Sequence, residues 1–546
     1  MIRLNSLLIL LALLAANANA QTTPPLTVIV IIDQFPMYLV DRYADLYCDG
    51  GLRRLEREGV LFTECRYSNA ISETGPGHVT ISSGCNPKTH AVIGNTWQTK
   101  DGRSVYCLEC DSIHTVTDDG VIDSLKASCP TNIQTEVFSD LWRKSFGEDA
   151  KIWSMSLKDR AAVSLAGSKP NGALWLQFET GKFQSSSFYT DKLPDWCTQY
   201  NATAGVYFDS TWVRSNKPEA YLSCDTDDAW YEDGTKAGLP NTMPKSLKGG
   251  DTVPGKGYVR ALQTTPFGND WLYGLVKLCL ANERLGKDGA PDLLCVSFSS
   301  NDMCGHTFGP FSQEILDMTV HTDKLIAEFL SLLDQQVGKG NYRFGLTTDH
   351  GICPPRESPL LPSGVGGRFN FRKMKDELQD YLAQKFLEGL LPKSGLVSAL
   401  DVPTVYLNQA AIEEAGLNLH EVAESTAEWL SAQPGVAQAV VTITAEDVDR
   451  IDDANLRAHI KQSFYPDRFS QVYMHPQPYW QSDGICANHG SIHDYDTHVP
   501  LYLMGEGFKG GRISEPADPT DLVTQLGAAS KLRWATPRDG QVHKLK

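Results

Sequence analysis

Leu26-Thr-Val-Ile-Val-Ile-Ile32 runs directly into Asp33. A near-continuous apolar run reads as a strand buried on both faces, as in a parallel sheet, rather than one with a wet side. Three further runs repeat the pattern. Residues 293–298 (LLCVSF) are followed closely by Asp302, residues 342–348 end at Asp349-His350, and residues 499–504 (VPLYLM) follow His489, His493 and His498. Open α/β sheets bind ligands beyond the carboxyl ends of their strands. One strand ending in Asp is an ordinary turn or helix cap. Acidic residues at three strand ends predict one shared site. The fold expected is α/β, a central, mostly parallel sheet with helices on both faces and inserted cap regions.

Residues 313–333 carry apolar side chains at helical spacing and predict a helix crossing the sheet. Residues 371–390 and 411–432 read as helices too. The stretches near 165–265 and 355–480 hold many Gly, Pro, Asn and aromatic residues. They are expected as insertions that build walls over the site.

The chain has 546 residues, 41% hydrophobic and 21% charged, an ordinary globular composition. Lys and Arg number 49 against 66 Asp and Glu, a formal net charge of −17. That balance argues against nucleic acid as the main partner. It does not exclude an anionic small substrate, because metals and basic side chains reverse the sign inside one cleft. Residues 1–20 read as a secretory signal, with Arg3, a short apolar run and the cleavage pattern Ala18-Asn19-Ala20. That run is too short to span a bilayer. The expectation is one catalytic domain over residues 21–546, periplasmic or secreted, monomeric and without a membrane anchor. There are 13 cysteines, so at least one thiol has no partner within the chain. Cys107 and Cys110, spaced as C-x-x-C, predict a local loop bridge rather than a zinc site. Cys304 reads as a small apolar filler.

Asp33, Asp302, His306, Asp349 and His350, with a late histidine that is either His489 or His493, supply carboxylate and imidazole ligands suited to zinc. Taken singly, each is better explained as a cap or a packing residue. Jointly, six ligands suffice for two metals, and two metals about 4 Å apart stabilise the attacking and leaving oxygens of an in-line displacement. The nucleophile candidate is Thr74, in Ser72-Glu-Thr-Gly-Pro-Gly-His78, before a segment that starts like a helix. A hydroxyl at a helix N-terminus meets free N–H groups and the positive dipole end; its plain alternative is an N-cap. Residues 151–156 read as a strand. In an extended chain Lys158 and Arg160 would face the same way and both address one anion. Asn95, after Gly94, is a candidate amide donor or a turn residue.

Together these residues resemble the alkaline phosphatase superfamily, and more closely the secreted phosphate-irrepressible alkaline phosphatases. The matching stretches are Ile32-Asp-Gln34, Thr74-Gly-Pro-Gly-His78, Gly94-Asn95, Ser156-Leu-Lys-Asp-Arg160, Thr264-Thr-Pro-Phe-Gly-Asn269, residues 302–310 and 337–342, Asp349-His-Gly351 and residues 489–500. They spread over nearly the whole mature chain in the expected order. The resemblance implies two zinc ions per chain, one held by Asp302, His306 and His489, the other by Asp33, Asp349 and His350 with Thr74 beside it. It selects His489 over His493. It also implies that Asn95, Lys158 and Arg160 contact phosphoryl oxygens, and that phosphate monoesters are hydrolysed through a phosphothreonine at Thr74. Cys304 and Ala91 depart mildly from the family pattern.

The nearest alternative is a phosphodiesterase or nucleotide pyrophosphatase of the same superfamily. Lys158 and Arg160 argue against it, because a dianionic monoester needs more positive charge than a diester. A sulfatase would need C-x-P-x-R, and Cys85-Asn-Pro-Lys-Thr89 has Thr where Arg is required. A metal- or phosphate-binding protein without catalysis would keep the ligands and need no nucleophile.

Overall fold

Five strands form the centre of the sheet in the computed structural model, which describes residues 23–390 and 392–545. They are β1 (Leu26–Ile32), β2 (Ile152–Ser156), β3 (Gly172–Leu176), β4 (Asp292–Phe298) and β5 (Tyr342–Thr347). Their spatial order is β5-β1-β4-β2-β3, and each neighbouring pair is parallel. The signal-peptide reading of residues 1–20 lies outside the described residues. Beyond β5 lies β6 (His498–Met504), which runs antiparallel to it. Gly59–Arg66 and Gly511–Ala517 continue that side. Phe183–Ser186, His114–Thr117 and Gly120–Lys126 extend the other side antiparallel, giving an 11-stranded sheet. The parallel core and both-faced burial are those read from the unbroken apolar runs.

Alternation along β1 explains why helices cover both faces. Val28, Val30 and Ile32 join a core with Leu316, Ile326 and Phe329 of the helix Gln313–Leu333. Ile29 and Ile31 join a separate core with Leu141 and Trp142 of Phe138–Phe146 and with Leu522 and Leu526 of Asp521–Ala529. Full burial of each such side chain contributes about 1.5–3 kcal/mol, which fixes the register as well as the stability.

Register brings the strand ends to one edge. Ile32 lies opposite Phe298 and Ile31 opposite Thr347, and Asp33 N donates to Phe298 O at 2.9 Å. Because β6 is antiparallel, its start reaches that same edge. The histidine-bearing segment before it therefore joins residues that follow the parallel strands.

Several local expectations are corrected. Residues 411–432 are not one helix but two, Gln409–Glu414 and Leu419–Ser431. Gly416, at φ 69°, turns the chain left-handed, and Asn418 Oδ1 accepts the N–H groups of His420 and Glu421 to start the second. The bridge near the C-x-x-C joins Cys110 to Cys129, and Cys107 remains a buried free thiol. Within the stretch 165–265, β3 and Phe183–Ser186 belong to the main sheet. Within 355–480, four strands pair in the order Val397–Leu400, Thr404–Leu407, Val472–Pro476, Val436–Val441 around a core of their own. Among the described residues no helix is long and apolar enough to cross a membrane.

Candidate active site

Three helices deliver side chains to the shared edge. They are α1 (Thr74–Ser83), α2 (Asp159–Ala166) and α3 (Ser300–Phe308). Every residue of α1 is buried. Gly77 permits this, since a Cβ there would stand 2.4 Å from the Asp349 carbonyl oxygen. Glu73 is the N-cap residue and Thr74 the first residue inside the helix. The hydroxyl of Thr74 is thus not spent on capping and sits at the positive end of the helix dipole.

Lys158 and Arg160 do reach one place, though not by the extended geometry expected of them. The strand ends at Ser156, whose Oγ accepts the Lys158 N–H at 3.1 Å and turns the chain. Lys158 becomes the N-cap of α2, and Arg160 lies in its first turn. Lys158 Nζ and Arg160 Nη2 each lie 3.4 Å from Thr74 Oγ1. Asn95 stands beside them. Its Oδ1 accepts from Gly75 N at 2.7 Å, and its own N–H is held by Glu73 Oε2 at 2.6 Å. The Nδ2 end is the one left to meet an acceptor.

Asp33, Asp302, Asp349 and His350 are all buried. Ligand-capable atoms of Asp33, Asp349 and His350 lie within 4.8 Å of one another, and so do those of Asp302, His350 and His489. His306 stands one helical turn from Asp302 on α3, with Nε2 3.1 Å from Asp302 Oδ1. The rings of His350 and His489 stack at 3.6 Å, so His350 lies between the two groups. Each imidazole is oriented by the backbone. Nδ1 of His306 lies 2.8 Å from Ala487 O, that of His350 3.0 Å from Gly351 O, and that of His489 2.6 Å from Ser72 O. A carbonyl only accepts, so each Nδ1 carries the proton and each Nε2 offers a lone pair inward, the tautomer of a metal-ligating histidine.

Such a cluster is costly without cations. Lys158 Nζ supplies one, at 2.6 Å from both Asp33 Oδ2 and Asp302 Oδ2. Asp33 Oδ1 and His350 Nε2 remain buried with no hydrogen-bond partner. Burial, then the neighbouring Asp349, pushes the Asp33 carboxyl well up. Burial acts the same way on Asp302, but Lys158, and after it His306 when its ring is protonated, outweigh burial and hold that carboxyl well below the usual range. Burial, then His350 and His306, holds His489 well below 6.5, in the neutral form that ligates. Orphaned acceptors, oriented imidazoles and mixed oxygen and nitrogen donors fit divalent metal ions.

The other late histidines are elsewhere. His493 packs on His475 with ring centroids 5.0 Å apart and donates from Nε2 to Pro476 O, and His498 pairs with Thr63 O. His489 is the one brought to the cluster. Glu73 and His78 also belong to the site, and no pattern in the sequence gives either a role. His78 Nδ1 lies 2.9 Å from Thr74 O and 3.2 Å from Asp349 Oδ2, a contact its position four residues after Thr74 could have suggested. Nothing in the sequence singled out Glu73.

Residues 27–491 match the family described as type I phosphodiesterase / nucleotide pyrophosphatase. The chain is 30% identical over 521 residues to a protein named calcium-transporting ATPase from Myroides odoratus, covering 94% of this chain and 92% of that one. It is 28% identical over 541 residues to alkaline phosphatase PafA from Elizabethkingia meningoseptica, covering 96% and 95%. The crystal structure of wild-type PafA superposes with a TM-score of 0.86 at 26% identity, over 96% of this chain and 99% of that one. Murine ectonucleotide pyrophosphatase / phosphodiesterase 5, at a TM-score of 0.50 and 13% identity, shares the fold.

Proposed function

The chain belongs to the type I phosphodiesterase / nucleotide pyrophosphatase family, and we propose that within it this protein is an alkaline phosphatase, hydrolysing phosphate monoesters through a phosphothreonine at Thr74. The observation that carries this reading is the convergence of two cations on one hydroxyl, Lys158 Nζ and Arg160 Nη2 each at 3.4 Å from Thr74 Oγ1. A phosphoryl group on that oxygen would have its equatorial oxygens beside both cations and the Asn95 amide. A dianion suits such a place better than a monoanion.

Asp302, His306 and His489 would hold one zinc ion, and Asp33, Asp349 and His350 the other, with Thr74 adjoining the second. Zinc bound there supplies Lewis-acid stabilisation of charge on oxygen. The residues do the rest. Thr74 Oγ1 attacks phosphorus in line, the ester P–O bond breaks and the alcohol leaves. Water then attacks the phosphothreonine, releasing inorganic phosphate and restoring the hydroxyl. Lys158, Arg160 and Asn95 hold the non-bridging oxygens in both displacements. Glu73 keeps Asn95 in place, and the N-terminus of α1 faces the anion.

The reading extends to action in the periplasm or outside the cell, on the signal-like pattern of residues 1–20. The family's own description favours a second reading, a phosphodiesterase. The test is hydrolysis of an aryl phosphate and a methyl aryl phosphate with the same leaving group by purified protein, with zinc analysis and acid-quenched peptide mapping. The monoester should react faster, and the trapped phosphate should sit on Thr74. Preference for the diester would overturn the assignment.

A further inference from the structure

Two local rules of protein structure are broken within one contact. Gln34 has φ 60°, a left-handed conformation that non-glycine side chains rarely adopt. Gly305 sits inside the helix α3, where glycine weakens the helix and no unusual φ calls for it. A Cβ on Gly305 would stand 1.9 Å from Gln34 Oε1 and 3.1 Å from its Cδ. The missing side chain of one residue is the space taken by the carboxamide of the other.

That carboxamide is buried and aimed at a proposed metal ligand. Gln34 Nε2 donates to Asp302 Oδ1 at 2.7 Å. A carboxylate only accepts, so this contact sets the amide orientation and turns Oε1 toward Gly305. The backbone N–H of Gln34 donates to Asp349 Oδ1 at 3.1 Å. Asp302 Oδ1 is also the oxygen turned toward the imidazoles, 3.1 Å from His306 Nε2 and 3.8 Å from His489 Nε2. Lys158 takes the other oxygen, Oδ2, at 2.6 Å. With both oxygens tied, the Asp302 carboxylate cannot rotate.

We propose that Gln34, seated in the notch left by Gly305, is a positioning residue for the site of Asp302, His306 and His489. Its carboxamide fixes the Asp302 oxygen that faces the two imidazoles. The left-handed backbone at Gln34 lets one residue serve both groups of ligands, by its amide to Asp302 and by its main-chain N–H to Asp349. The role rests on the reading that these residues hold metal. It separates the two sites, because the side chain touches only one of them.

Two variants test it. Gln34→Gly keeps a residue suited to positive φ and keeps the N–H on Asp349, but deletes the carboxamide. Gly305→Ala leaves Gln34 in the sequence and pushes its carboxamide out of place. Zinc binding is measured by competition with a chromophoric chelator, and Co²⁺ uptake by its visible spectrum. In either variant one of two bound zinc ions should weaken by about 10- to 100-fold, the usual effect of losing a hydrogen bond behind a ligand. The other ion should be unaffected. In a His489→Ala background, already deprived of that site, Gln34→Gly should leave the affinity of the remaining zinc unchanged. Equal weakening at both sites would make Gln34 a general structural residue, and unchanged affinity in both variants would remove the role. A wild-type chain that takes up no zinc would overturn the metal reading and this role with it.

Discussion

Arg160→Ala and Lys158→Ala should not be equivalent, although both side chains lie 3.4 Å from the Thr74 hydroxyl. Arg160 has no carboxylate of the cluster as an ion-pair partner, whereas Lys158 joins Asp33 to Asp302 at 2.6 Å each. On the proposed mechanism, removing Arg160 deletes a contact to the transferred phosphoryl group. By comparison with the loss of one oxyanion-hole donor, that costs about 2–4 kcal/mol, or roughly a 30- to 1,000-fold loss in monoester kcat/KM at 1.36 kcal/mol per decade. Removing Lys158 does this and also leaves buried carboxylates without their ammonium. Breaking a buried ion pair costs about 3–5 kcal/mol, so the chelated Lys158→Ala protein should be less stable by about that much, while chelated Arg160→Ala should be affected far less. The assay has two arms. Steady-state kinetics on a monoester and a diester with one leaving group read the phosphoryl contact, with zinc content checked in each variant. Urea denaturation with and without chelator reads the ion pair. Diester hydrolysis should suffer much less than monoester hydrolysis, because one of its oxygens carries a substituent and it bears one charge fewer. In the double variant the kinetic losses should fall short of their product, since neighbours in one network do not act independently. Equal losses on both substrates would show that the cations only raise general affinity. Equal stability of the two chelated variants would refute the ion-pair argument.

Thr74→Ala should abolish turnover and phosphopeptide labelling while retaining zinc, and Thr74→Ser should keep measurable activity; label on another residue in peptide mapping would exclude Thr74. Exhaustive chelation, checked by elemental analysis, should abolish activity, with recovery on zinc but not on magnesium, which prefers all-oxygen octahedral sites. Glu73→Ala, which removes the acceptor of the Asn95 N–H, should cost about 1–3 kcal/mol in monoester kcat/KM by loosening Asn95, the range for a donor left without its partner; an unchanged rate would mean that Asn95 is held without it. His543 gives a pH dependence far from the Asp and His cluster. Burial opposes its charging, but Asp521 at 2.8 Å and Glu515 at 3.2 Å outweigh burial and raise it above its ordinary 6.5. A folded-state value above the unfolded one adds stability that is full below pH 6.5 and lost as pH rises through the raised value. Protection of the C-terminal segment from limited proteolysis should therefore fall over that range in wild type and be flat in His543→Asn.

What was legible in the sequence is what burial imposes on neighbouring residues. A strand covered on both faces must be apolar at every position, so β1, β4 and β5 stand out, and the first polar residues after them mark the site edge. Features made by packing between distant segments were not legible in that way. Strand spacing predicts that Lys158 and Arg160 converge, but the strand stops at Ser156 and the cause is a serine-assisted turn into α2. Residue types alone leave His489 and His493 equal and only the resemblance separates them; the physical cause is the antiparallel entry of β6, which places one ring against His350 and leaves the other on His475. Gln34 reads in sequence as one polar residue after a strand, and Gly305 as one glycine between two candidate ligands; both fall in stretches that match the family, but neither shows there what it does. Their meaning appears only when β1 and α3 meet, because the contact that joins Gln34 to Asp302 spans 268 residues of chain. Composition and periodicity thus locate the edge where chemistry can occur. The arrangement that makes it specific lies in contacts whose partners carry no local signal.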